Sequence, residues 1–332
     1  MLNVGVIGCG GMGRDHIRRL TEKIQGAEVV AVSDVFEESA KKAAEICGAK
    51  VYADSKELIN AENVDAVFIV SPGFAHVDSL LQAIEAGKRI FCEKPLCTTA
   101  EDCLKVVKAE EAAGKHLIQL GFMRRYDKGY QQEALATGEY GEPLILHCTH
   151  RNPEVGTNYN TPMAVHDTAI HEIDVLHWLV DDEYESAQVV MPRVTKYSHS
   201  ELKDPQIMML RTKKGVCIDV EVFVNCKFGY DINCEVVCED GALKMAQPAY
   251  PSIRKNAAVS TAIDTDCFVR FKDAYDKEVQ DWVDNAEAGV ITGPNAWDGY
   301  LAAITADALV KAQETGQIEK IVSAVEKPEF YK

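Results

Sequence analysis

Three places in this sequence carry residue types and spacings that could do chemistry. The first is Gly8-Cys9-Gly10-Gly11-Met12-Gly13, glycines in a G-x-G-x-x-G spacing between an apolar run, 4–7, and apolar positions at Ile17, Leu20 and Ile24. Strand, tight turn and helix in that order suit a dinucleotide. The first glycine permits the turn, the second lets backbone approach a pyrophosphate, and the third lets the helix pack closely on the strand. A second apolar run, 27–32, ends in Ser33-Asp34, which places an acid about 20 residues on, where a ribose diol is held. Taken alone, the glycines could be only a flexible turn; strand, helix and acid together point to dinucleotide binding.

The second place is Glu93-Lys94-Pro95, directly after an apolar run at 89–92. A lysine at the carboxyl edge of a parallel sheet lies where such folds bind ligands, and there it could bond a substrate hydroxyl and stabilise a developing alkoxide. A surface-loop lysine is the plain alternative. Pro95 would fix the turn, with a cis bond as one way of doing so. The third place is 166–178, where Asp167 and His171 stand four residues apart and Asp174 follows a turn later. At helical spacing these share a face. A solvated face and a metal site both remain open, although no H-E-x-x-H occurs. In the catalytic reading His171 is a general base supported by Asp167.

The elements needed to position these groups are legible as a pattern. Short apolar runs at 4–7, 27–32, 51–52, 65–70, 89–92 and 117–120 alternate with helical segments at 37–47, near 56–58, at 76–86 and at 99–113, of which 37–47 is closed by Gly48 and 99–113 by Gly114. Six such strands make a Rossmann-type, doubly wound parallel sheet with both faces covered. After Phe122 the pattern changes. A helix is expected from Gln131 to Ala136, then strands at 144–150, 188–194, 207–211, 216–224 and 232–238, a turn at 239–242, a helix over 165–180, and closing helices at 274–288 and 296–314. The fold class expected is therefore an α/β N-terminal domain, 1–121, followed by an α+β domain, 122–332, with an open-faced, largely antiparallel sheet. An apolar open face would favour association with further copies.

Composition narrows the classes. The chain of 332 residues exceeds the usual size of one core. A net charge of −17 argues against nucleic acid as a partner, and no apolar run approaches the roughly 20 residues of a membrane span. The N-terminus shows no secretory pattern, since Leu2 already enters the first strand, and eleven cysteines without a C-x-x-C suit reduced thiols in the cytoplasm. Cys234 and Cys238 would share a strand face, but with no partner motif no metal is expected.

Together, the glycine turn, Glu93-Lys94-Pro95 and the Asp167-x-x-x-His171 helix before an antiparallel sheet resemble the glucose–fructose oxidoreductase / inositol dehydrogenase / rhizopine-catabolism (Gfo/Idh/MocA) family. The resemblance covers nearly the whole chain. Within the family it is strongest to the inositol-oxidising members, through 121–127, 147–153, 171–178 and 295–300. It implies Lys94, Asp167 and His171 as the catalytic trio and NAD as cofactor, with Gly8, Gly10, Gly11, Met12, Gly13, Asp34, Ser71, His76, Glu93 and Lys94 around it. Met123, Arg124, His150, Asn152 and Tyr230 fall where an inositol-type polyol would be contacted. The expected activity is oxidation of myo-inositol to scyllo-inosose by a homotetramer. A sibling acting on scyllo- or D-chiro-inositol or an aldose, and a non-catalytic NAD-binding sensor, are the alternatives.

Overall fold

The computed structural model describes residues 1–130 and 132–332. The chain forms two compact units, one of Met1–Met123, Tyr275–Ala303 and Ser323–Lys332, the other of Arg124–Ala274 and Ile304–Val322.

In the first unit β1 (Leu2–Ile7), α1 (Gly11–Glu22), β2 (Ala27–Ser33), α2 (Glu37–Cys47), β3 (Lys50–Val51), α3 (Ser55–Ile59), β4 (Ala66–Ile69), α4 (His76–Glu85), β5 (Arg89–Glu93), α5 (Ala100–Ala113) and β6 (Ile118–Gly121) follow one another. Their strands form one sheet in the order β3-β2-β1-β4-β5-β6, parallel throughout. The two central strands are nearly all apolar because both faces are covered. Val4, Val6, Phe68 and Phe91 join Ile17 and Leu20 of α1 in one core cluster, while the alternate residues Val67, Ile69, Ile90 and Cys92 are buried as well. The same cluster holds Val279, Trp282, Val283 and Ala286, from a helix near the other end of the chain. A single cut after residue 121 therefore does not describe the packing, because these apolar side chains need the first sheet's face to leave water.

The second unit begins with α6 (Gln132–Ala136); Gln131, expected as its first residue, lies outside the described residues. There follow β7 (Pro143–Arg151), a π-helical turn (Ala164–Ala169), α7 (Ile170–Val180), β8 (Tyr184–Val190), β9 (Gln206–Thr212), β10 (Cys217–Phe223), β11 (Asp231–Cys238), β12 (Ala242–Lys244), a hairpin of β13 (Ser252–Lys255) and β14 (Ala258–Thr261), α8 (Cys267–Arg270), α9 (Lys272–Ala288), α10 (Ala296–Thr315) and β15 (Glu319–Lys320). The large sheet runs β12-β11-β7-β10-β9-β8-β15. It is antiparallel except for the central pair β7 and β10, which run parallel. Ile232, Cys234, Val236 and Cys238 alternate inward along β11. The opposite face is mixed rather than uniformly apolar: Arg151 pairs with both Glu221 and Asp231 there and His147 sits 2.5 Å from Asp219, while Ile207 and Met209 lie opposite Glu221 and Asp219 on the same face. No helix among the described residues is long and apolar enough to cross a membrane.

Candidate functional site

The glycine-rich turn owes its shape to two close approaches. Gly8 has φ +96°, and a Cβ there would lie 2.5 Å from the Ser71 backbone nitrogen; a Cβ on Gly13 would lie 2.0 Å from the Gly8 carbonyl oxygen. At Gly10 and Gly11 a Cβ would meet only open space. Gly10 caps α1 without any side-chain hydrogen bond, so the first N–H groups of the helix face outward with the positive end of its dipole. This is a seat for a diphosphate. Asp34 closes the same turn, one carboxylate oxygen accepting the Cys9 N–H at 2.7 Å and the other the Phe36 N–H at 2.8 Å. Each oxygen keeps a lone pair for a ribose hydroxyl. Val35 and Phe36 beside it are exposed and uncharged. Burial, then the Asp34 charge, pushes the Cys9 thiol up to about 12, so it is an inert part of the turn. Half-buried Met12 lies in the first turn of α1, and half-buried Ser71 on the loop after β4 that meets Gly8. These features fit a dinucleotide.

The loop after β5 carries half-buried Lys94, followed by a cis peptide to Pro95. Two neighbours expected to face the cofactor have other work. The Glu93 side chain is buried, bonded to His16 at 2.7 Å and to the Lys94 N–H at 3.1 Å. His76 is wholly buried; its Nδ1 lies 2.8 Å from the Pro95 carbonyl and its Nε2 2.7 Å from the Ser71 carbonyl. The neutral ring has one N–H to donate to these carbonyls, and the Cys92 thiol lies 3.4 Å from Nδ1; His76 thus sits between the loop after β4 and the loop after β5 and turns no polar atom outward.

In the second unit Asp167 stands exposed on the π-helical turn and His171 is buried in the first turn of α7. The third member of the expected stripe, Asp174, is turned to an ion pair with Arg125, at 2.9 and 2.5 Å. The group that organises this region is Glu172, which no spacing singled out. Its carboxylate takes Arg124 on one oxygen and His150 Nδ1, at 2.8 Å, on the other; all three are buried. Burial pushes the Glu172 carboxyl up, and the charges of Arg124 and His150 more than offset it, so the group stays ionised below the usual carboxylate range. Arg124 also donates to the Tyr130 hydroxyl at 3.1 Å. The His150 ring lies 6.4 Å from that of His171 and 5.7 Å, edge-on, from that of Tyr230.

The structure thus gathers His171, Arg124, His150 and Tyr230 in one cluster. Asn152 is half-buried just past β7, its backbone N–H on Phe223. Lys94 and buried Met123 belong to the first unit. A signal for Glu172 did exist: charged residues in the otherwise apolar 170–180 need buried partners, and Arg124-Arg125 are the paired cations that supply them. Among the described residues no three His, Cys, Asp or Glu side chains converge as a metal site.

Comparison with known proteins covers the whole chain. A family model described as an oxidoreductase family with an NAD-binding Rossmann fold matches residues 2–122, and one described as the oxidoreductase family's C-terminal alpha/beta domain matches 132–321. An inositol 2-dehydrogenase of Azotobacter vinelandii is 54% identical over 99% of this chain and 98% of the relative. An inositol 2-dehydrogenase/D-chiro-inositol 3-dehydrogenase of Halalkalibacterium halodurans is 52% identical over 99% of this chain and 96% of the relative. The crystal structure of myo-inositol dehydrogenase from Lactobacillus casei in complex with NAD(H) and myo-inositol superposes with a TM-score of 0.97 at 44% identity, covering 100% of both chains. Two domains matched in chain order, with relatives more than half identical from end to end, make this chain a member of the Gfo/Idh/MocA oxidoreductase family.

Proposed function

We propose that the protein is an NAD-dependent inositol 2-dehydrogenase that oxidises myo-inositol to scyllo-inosose. The observation that carries this reading is the 54% identity, over 99% of the chain, to an inositol 2-dehydrogenase. NAD, when bound, supplies the hydride acceptor. The chain's own groups handle the proton and the oxygen: His171 accepts the hydroxyl proton, Asp167 supports the charge this creates, and Lys94 donates to the oxygen as it becomes a carbonyl. Gly8, Gly10, Gly11, Met12, Gly13, Asp34 and Ser71 hold the dinucleotide, and Met123, Arg124, His150, Asn152 and Tyr230 recognise the polyol. Functionally, 1–121 serves the cofactor and 122–332 serves substrate and assembly. What supports these roles is their match to the family's motifs, and for the polyol the clustering of Arg124, His150 and Tyr230 beside His171. A cytoplasmic homotetramer is the setting we propose, the compartment from the free cysteines and the assembly from the family resemblance alone.

A second substrate has its own support, since a relative 52% identical is named for D-chiro-inositol as well. NAD reduction followed at 340 nm, scanned over myo-, scyllo- and D-chiro-inositol and glucose, tests both. Highest kcat/KM is expected with myo-inositol and a lower value with D-chiro-inositol. No reduction with any of the four, while NADH still binds, would return the protein to a non-catalytic sensor.

A further inference from the structure

A line of contacts joins α1 to the backbone of Lys94. His16 stands three residues after Gly13 on the inner face of α1, the helix whose uncapped end offers N–H groups to a diphosphate. Its Nε2 lies 2.7 Å from one oxygen of Glu93. A carboxylate oxygen can only accept, so Nε2 is the donor. The second Glu93 oxygen accepts the Lys94 N–H at 3.1 Å. From the far side, a Cβ on Gly121 would come within 3.1 Å of the Glu93 carboxyl carbon, so the end of β6 is kept bare where the carboxylate lies. Phe68 and Phe91 hold the His16 ring edge-on, each at 5.5 Å. The carboxylate therefore has one place to be.

Buried polar pairs of this kind are often replaceable by apolar residues without loss of stability, so stability is a weak reason for one here. We propose that His16 is a positioning residue of the reaction: through Glu93 it fixes the backbone of Lys94, and with it the direction in which the ammonium leaves the loop. This rests on the reading of Lys94 as the donor to the reacting oxygen. A displacement of about 1 Å at such a group can cost on the order of 100-fold in rate without disturbing binding.

The test is a double-mutant cycle on the full-length enzyme. His16→Phe keeps the aromatic packing and removes the donor; His16→Gln keeps a donor. Each is made with Lys94 intact and in Lys94→Ala, and kcat, KM for myo-inositol, NADH affinity and thermal midpoint are measured. With Lys94 intact, His16→Phe is expected to lower kcat about 10- to 100-fold, with KM and NADH affinity changed less than about twofold and with His16→Gln recovering most of the rate. In Lys94→Ala the same change should cost little more, because residues acting as one unit are non-additive. An equal fold-loss in both backgrounds, or unchanged kcat in folded His16→Phe, overturns the proposal. If Lys94→Ala alone turns over normally, the reading of Lys94 has failed, and the single variant shows it. Should His16→Phe not fold, Glu93→Leu, which can accept from neither His16 nor the Lys94 N–H, breaks the same link from the other side and is judged by the same non-additivity.

Discussion

The Asp34 carboxylate accepts N–H bonds from Cys9 and Phe36, so its direction is set by backbone before any cofactor arrives. A carboxylate held there accepts two ribose hydroxyls and repels the extra phosphate of NADP. The neighbouring side chains, exposed Val35 and Phe36, bring no positive charge to offset that repulsion. Asp34→Ser with Val35→Arg is therefore expected to raise the NADP-to-NAD ratio of kcat/KM by roughly 10- to 100-fold, about 1.5–3 kcal/mol for one charge-assisted bond. Steady-state kinetics with both cofactors decides it. An unchanged ratio would mean that Asp34 holds only the turn. Single side chains such as this were legible from spacing. Glu172 and His16 were not: each lies in an apolar helical face, and its partners, Arg124 and His150 or Glu93, come from distant parts of the chain that no local periodicity connects.

Among elements, α4 is tied down at its first residue, where His76 joins the loops after β4 and β5. Burial pulls its pKa below the usual histidine range, and the carbonyls of Ser71, Pro95 and Leu96 pull the other way with less effect. The folded state then favours the neutral ring, while the unfolded chain protonates below about 6.5. Stability from this site is thus present in full above that pH and is lost as the pH falls through the folded-state value. His76→Gln, which cannot titrate, should be less stable at pH 7.5 yet lose less on going to pH 5.5, the slope shrinking by at most about 1.4 kcal/mol per pH unit. Urea midpoints at the two pH values measure this; a steeper acid loss in the variant would mean the carbonyls hold the ring protonated. Elements were legible where local chemistry and burial agreed. The six apolar runs of the first sheet and the helix stops at Gly48 and Gly114, both at positive φ, follow from sequence. Strand β8 begins four residues earlier than its apolar content suggests, because Tyr184 is buried with its hydroxyl on the Ile173 carbonyl, and Pro192 bars continuation beyond. The β13–β14 hairpin is exposed on all eight residues and turns through Asn256-Ala257, both at positive φ, so neither alternation nor a glycine marks it.

At the scale of the molecule, the first unit is closed by a segment that arrives some 150 residues after its last strand. Trp282 is wholly buried and packs edge-on against Phe68 at 4.9 Å and Phe91 at 6.0 Å, which are themselves stacked at 4.4 Å. With Val279, Val283 and Ala286 it covers the sheet beside α1. The N-terminal six strands are therefore not a self-sufficient core, and contacts distant in sequence complete the fold that carries the glycine-rich turn. Trp282→Ala leaves a cavity among rings that are fixed by one another, and truncations of this kind cost about 3–5 kcal/mol. Trp282→Phe keeps an edge-on ring and should lose less than half as much. Since a ligand that binds only the folded state adds stability by mass action, NADH should raise the melting temperature of both variants, from a lower start in Trp282→Ala. Calorimetry with and without NADH measures all of this. A melting temperature unchanged by Trp282→Ala would make 275–303 a peripheral addition to a sheet that stands by itself; a lowered one that NADH fails to raise would mean that this packing also shapes the cofactor's seat.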